Sequence, residues 1–258
     1  MQLAEEPNDD DLRSAHAFRD ALQEDVDRAS EGQAKDDSQY ARRALIRAFF
    51  GQVEGTIAFL KGRVLTKHSS GAGGLDRADL AILHEEAYGL RPNGTAVVQV
   101  RFFPLADTFC FVIRSLQRNA GVSDKIFKSC AGWTSFVVAI DIRNRLAHPK
   151  CIADLVISDD HLRSVRVAAD WVRFTVSATL QRLADHHHRR VVEMTREIER
   201  LSGLETREVD TDWRREYEAL KAETWSLGER LGIQPDQLRD YLYDSDVTVR
   251  NDQFELRL

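Results

Sequence analysis

The stretch from Ser158 to about Leu204 constrains the fold more than any other part of the chain. Apolar residues recur through it at helical spacing, so it reads as one very long helix or two in series. Asp159 and Asp160 suit its first turn, where unpaired backbone N–H groups favour negative charge. A helix of that length buries its apolar face only against other helices. The chain supplies them. Tyr40 to Leu65 is apolar around most of a helical circumference and follows Ser38 at an N-cap position, and Leu105 to Asn119 and Gly132 to Ala147 are further apolar helical runs. Together these segments predict an all-α fold, a helical bundle.

Smaller elements surround that body. Leu12, Ala15, Phe18, Leu22 and Val26 mark an amphipathic helix within an acidic segment. After the Gly-rich connection Lys67 to Gly74, which lacks the Lys-Ser/Thr of a phosphate loop, Leu75 to Ala87 resumes helical spacing. Gly89 and Pro92-Asn93-Gly94 interrupt it. Thr95 to Phe103 is β-branched and short, a strand-like insert ending at Pro104. Trp213 to Leu231 and Pro235 to Tyr243 read as two later helices, and Val247 to Leu258 alternates like a strand. Within the long run, Leu180, Ala184, His187, Val191, Met194, Ile198 and Leu201 keep a four-three spacing, a seam for another helix of this chain or of a second one. The organisation expected is an acidic N-terminal helical extension over residues 1–37, a main domain over 38–185 and a helical, coiled C-terminal extension over 186–258.

Apolar runs such as Phe136 to Ile140 are too short to cross a bilayer, and the first residues carry neither the basic start nor the apolar stretch of a secretory signal. A cytoplasmic protein without membrane contact is expected. Cys110, Cys130 and Cys151 are odd in number and widely spaced, which suits reduced thiols better than disulfides or a zinc cage. The net charge of −6 is unevenly spread. Residues 41–150 hold 16 basic and 8 acidic side chains, against 4 and 12 in residues 1–40 and 16 and 22 in residues 151–258. A basic body between acidic ends admits an RNA partner.

That basic body contains Asp141-Ile-Arg-Asn-Arg-Leu-Ala-His-Pro-Lys150. Arg143 and His148 lie five apart, on different faces of a continuous helix, but Pro149 disfavours the α conformation at His148 and should end the helix there. His148 can then turn toward Arg143. Asn144, four residues before His148, can orient the imidazole or hold a phosphate oxygen, and Arg145 and Lys150 add positive charge. Imidazole exchanges protons near neutrality, and guanidinium grips phosphate oxygens through a fork of donors. In RNA the 2′-OH is an internal nucleophile, so this pair can cleave a phosphodiester with no metal and no cofactor. Glu54 interrupts an apolar helix, where a carboxylate needs a partner. It either orients the motif arginines or forms a structural ion pair with Arg43 or Arg47. His186-His-His188 point in different directions on a helix and are read as a solvated face, and Asp210-Thr-Asp212 as a helix cap.

Arg143-Asn-Arg-Leu-Ala-His148 resembles the motif of the HEPN superfamily of helical nucleotide-binding and RNA-cleaving domains, in which Arg, usually followed by Asn, is separated from His by four to six residues. The resemblance spans roughly residues 38–185, with Tyr40 to Glu54 similar to the first HEPN helix and Trp133 to Lys150 to the motif-bearing one. It implies a metal-independent endoribonuclease with Arg143, Asn144 and His148 catalytic, beside which Glu54, from its place in an apolar helix, is the candidate supporting residue. Arg43, Arg47, Arg145 and Lys150 would contact RNA. It also implies a homodimer with two motifs in one cleft, and a setting of phage defence or toxin–antitoxin control with an inhibitor or defence-system partner protein. One toxin subgroup carries a tyrosine two residues after the histidine; Lys150 stands there, so control by modification of that tyrosine is not expected. An inactive HEPN module that binds RNA or a protein as a regulatory or assembly subunit is the alternative.

Overall fold

The computed structural model describes residues 9–69, 75–93, 95–202 and 212–243. Its element order among these is α1 (Asp9–Lys35), α2 (Gln39–Lys67), α3 (Arg77–Leu83), β1 (Glu86–Leu90), β2 (Ala96–Val100), α4 (Leu105–Asn119), α5 (Ala131–Ala147), α6 (Asp159–Ser202), α7 (Asp212–Arg230) and α8 (Pro235–Leu242). Among the described residues the architecture is all-α with one small β-hairpin. The segments Gly71 to Gly74, Asp210–Thr211 and Val247 to Leu258 lie outside the described residues.

Ser38 caps α2, its hydroxyl oxygen accepting from the Ala41 N–H at 3.3 Å. The apolar residues of α2 then do what their spacing requires: Leu45, Ile46, Phe49, Val53, Ile57, Leu60 and Val64 are buried. The acidic helix α1 lies along α2, joined to it by Gln52 donating to Gln23 at 2.7 Å. Across the core, α4 packs on α2 and α5 packs along α6. Phe109, Phe136, Trp133 and Trp171 form an aromatic centre with ring centroids 5.1 to 6.2 Å apart. The Trp171 indole N–H donates to the Phe127 carbonyl at 2.8 Å, so this large ring is buried without an unpaired donor. Gly132 makes the α5–α6 approach possible: a Cβ there would stand 2.6 Å from the Trp171 Cβ.

The proximal half of α6 is buried through Leu162, Val165, Ala168, Trp171, Phe174 and Ala178. Helices α7 and α8 return against it and add Leu227, Leu231, Ile233, Leu238, Tyr241 and Leu242 to the same core. Tyr241 stacks on Phe174 at 5.7 Å and donates its hydroxyl to the Lys125 carbonyl at 3.2 Å.

The segment expected to be helical from Leu75 to Ala87 departs from that reading. Asp76 and Asp79 cap α3 reciprocally, but the helix ends at Leu83. Glu85 adopts a left-handed φ of 56°, which no helix continues through. Its carboxylate is held by Lys61 at 2.7 Å, and its carbonyl accepts from the Arg101 N–H at 2.8 Å. Glu86 to Leu90 then pairs antiparallel with Ala96 to Val100, Glu86 opposite Val100 and Leu90 opposite Ala96. The strand-like insert is therefore the second arm of a hairpin, shorter than Thr95 to Phe103. Among the described residues no helix is long and apolar enough to cross a membrane.

Candidate active site

The motif occupies the last turns of α5. Ile142 and Leu146, 1% and 5% exposed, anchor that end in the core, and the residues between and beyond them look outward. Helix α5 stops at Ala147. His148 has φ −133° and ψ 63°, outside the helical region as Pro149 requires, and its N–H still donates to the Asn144 carbonyl at 3.0 Å. The His148 side chain is exposed.

Arg143 is fixed from two directions. One guanidinium nitrogen donates to the Glu54 carboxylate of α2, and another donates to the Asn144 Oδ1 at 3.2 Å. Of the alternatives open for Glu54, its partner is the motif arginine, not Arg43 or Arg47. Glu54 is not shielded by the apolar helix around it but lies on the exposed side of α2. Asn144, read from the sequence as able to orient the imidazole, directs its amide oxygen to Arg143 and reaches His148 through the backbone.

A depression of about 220 Å³ opens beside this pair. Ile46, Arg47, Phe50, Gly51 and Glu54 of α2 line one side, and Arg143, Leu146 and Ala147 of α5 line the other. Its floor is apolar and its rim carries two guanidinium groups and one carboxylate, a surface on which a flat ring could rest while an anion meets the rim. His148 follows directly after Ala147 at one end.

Three basic residues assigned to RNA by sequence have other surroundings. Arg43 is half-buried and donates to the Leu155 carbonyl at 3.0 Å, holding the loop after the motif rather than facing the depression. Arg145 lies 3.3 Å from Asp141 one turn earlier on α5. Lys150 has an exposed side chain, but its N–H donates to the Asp154 carboxylate at 2.8 Å, as does that of Cys151 at 3.1 Å. These backbone hydrogen bonds hold the Asp154 carboxyl below the usual carboxylate range. Arg47 is the basic residue of the set that lines the depression with Arg143.

Sequence reasoning missed the clamp that fixes this loop. The Gln39 amide donates to the Ile157 carbonyl at 3.0 Å and accepts from its N–H at 2.7 Å. Arg42 donates to the same carbonyl at 2.9 Å and pairs with Asp159 at 2.7 Å and with Asp37. The first turn of α2 thus grips both ends of the passage from the 3-10 turn Ile152–Leu155 into α6. Nothing local in Gln39-Tyr-Ala-Arg42 announces this, because every partner is more than a hundred residues away except Asp37.

Cys110, Cys130 and Cys151 are free thiols. Among the described residues no group of three His, Cys, Asp or Glu side chains is placed to hold a metal ion. Compared with known proteins, the chain matches no family model, no curated protein and no solved structure.

Proposed function

We propose that this chain is a HEPN-type endoribonuclease that cleaves RNA by attack of a 2′-OH, without a metal or other cofactor. The observation that carries this reading is the fixing of Arg143 by Glu54 and Asn144 at the rim of an open depression, one residue past which the chain delivers an exposed His148. In the reaction the imidazole removes the proton of the 2′-OH, and the oxygen so freed bonds to phosphorus. The bond from phosphorus to the 5′-oxygen breaks, and that oxygen takes a proton. The products are a 2′,3′-cyclic phosphate and a 5′-OH. Arg143 stabilises the negative charge that builds on the phosphoryl oxygens, and Glu54 keeps its guanidinium from swinging away. Arg47 supplies a second cation for the backbone of the strand.

In-line displacement sets the entering 2′-oxygen and the departing 5′-oxygen on opposite sides of phosphorus, beyond the reach of one imidazole, so the reading includes a homodimer in which a second His148 supplies the leaving-group proton. A cytoplasmic setting in phage defence or toxin–antitoxin control, with an inhibitor or partner protein, belongs to the same reading. The resemblance of Arg143 to His148 to the HEPN motif supports it.

The test is incubation of the purified chain with total RNA in excess chelator beside the His148→Ala variant. Fragments ending in 2′,3′-cyclic phosphate from the parent and none from the variant are expected; dependence on added Mg²⁺ or Mn²⁺ would overturn the mechanism. The Glu54 carboxylate that already matches the charge of Arg143 favours a second reading, a module that binds RNA or a protein without cutting. RNA binding with no cleavage by the dimer would select it.

A further inference from the structure

The distal half of α6 is a surface the candidate site does not use. Consecutive residues on a helix point about 100° apart, and three of them there have three different surroundings. Asp185 accepts a hydrogen bond from the Tyr217 hydroxyl of α7. His186 packs beside Gly121, in the connection between α4 and α5. His187 points to neither and is exposed. Its face continues through Val191, Met194 and Ile198, which are 38%, 60% and 53% exposed. These residues follow the four-three alternation of a coiled-coil seam, and α6 runs through them as unbroken helix.

The charges beside the seam decide what fits it. Arg190 and Glu197 both immediately precede seam residues and are exposed. In a parallel pair, Arg190 would meet Thr195 of the second helix and find no opposite charge. In an antiparallel pair, Val191 of each helix layers on Met194 of the other, and His187 on Ile198. That same register sets Arg190 opposite Glu197 of the second copy, and Glu197 opposite its Arg190. One helix is thus complementary to itself about a two-fold axis, as an isologous contact requires. Glu197 is held by Arg200 in the single chain, at 2.8 and 2.6 Å. Both are exposed, and such a surface pair is exchanged at little cost.

We propose that this face binds a second copy of the chain as an antiparallel helix pair centred between Val192 and Glu193. The interface is separate from the ribonuclease reading and does not rest on it.

Sedimentation of the full chain tests it with four proteins: the parent, Arg190→Glu, Glu197→Arg and the double reversal. Each single reversal sets like charges opposite each other and is expected to lower the mass of the assembly by removing this junction; the double reversal restores it. Met194→Glu, which places a charge in the seam, is expected to lower the mass to the same value, with helix content unchanged by circular dichroism. Masses that do not respond to the single reversals, or a double reversal no better than the singles, overturn the antiparallel pair. A monomeric parent whose mass rises when residues 244–258 are removed also overturns it, showing that the chain's own tail covers the seam.

Discussion

Glu54 and Arg143, eighty-nine positions apart in sequence, form the ion pair that joins α2 to α5 beside the depression. Both side chains are partly open to solvent, so the pair contributes little to folding, about 0–1 kcal/mol. Its effect is on where the guanidinium points. Glu54→Ala is expected to leave the melting temperature nearly unchanged while lowering RNA cleavage by roughly tenfold to a hundredfold, the scale of a catalytic group displaced by about an ångström. Glu54→Gln, which keeps an acceptor, should fall between. Thermal melts beside single-turnover cleavage check this; an equal loss of stability and rate would make the pair structural.

Gly51 faces open space, and a Cβ built there meets nothing within 4 Å. Gly51→Leu therefore fits without strain and removes a flexible residue from the interior of α2, which favours the fold by about 0.5–1 kcal/mol. The new side chain projects over the depression. RNA affinity is expected to fall by about tenfold or more, equivalent to about 1.4 kcal/mol, in a protein at least as stable as its parent. Unchanged affinity would show that the depression is not part of the site.

At Gly132 the same kind of substitution has the opposite outcome. The added methyl would lie 2.6 Å from the Trp171 Cβ and 2.8 Å from a Leu231 methyl, and a Cβ cannot move without its helix. Gly132→Ala is expected to cost roughly 2–3 kcal/mol, read as a lower denaturant midpoint, because it separates α5 from α6.

Asp185 links stability to pH. Burial pushes its carboxyl up from 3.8 to about 6. A raised carboxyl pKa means that the folded chain holds this proton more tightly than the unfolded chain. The contribution is therefore fully present below the unfolded value and is lost as pH rises through about 6. Asp185→Asn keeps an oxygen to accept from Tyr217 and carries no charge. It is expected to flatten the decline in stability between about pH 4 and about pH 6, and near neutrality to exceed the parent by roughly 1–2 kcal/mol after allowance for partial solvent screening. Denaturant titrations at several pH values check the slope.

Much of the bundle was legible because its signals are local. Leu105 to Asn119 is a helix with the bounds its apolar spacing implies, Ser38 caps α2, and Pro149 ends α5. Leu80, Leu83 and Ala87 continue a helical spacing, so the reversal at Glu85 was not visible. It is held by Lys61 and Arg101, from elsewhere in the chain. The same limit applies to the candidate site. That Glu54 needed a cation followed from its type, but which arginine answers it depends on how α2 crosses α5. Arg43 and Arg47 are one turn apart on α2 and indistinguishable by composition. Only the packed loop shows that one serves a carbonyl and the other the depression.

The length of α6 sets a distance rule. At about 1.5 Å per residue its 44 residues form a rod of about 66 Å, with the motif loop entering at one end and the Arg190–Glu197 register near the other. Copies tied through the distal ends would carry their Arg143 groups at opposite extremities, roughly 100 Å apart. Two such centres could not close on a single phosphate. They would work as a caliper on separate stretches of one long RNA, and any pairing of His148 residues would draw in further copies, so that assembly grows by two unlike junctions in alternation.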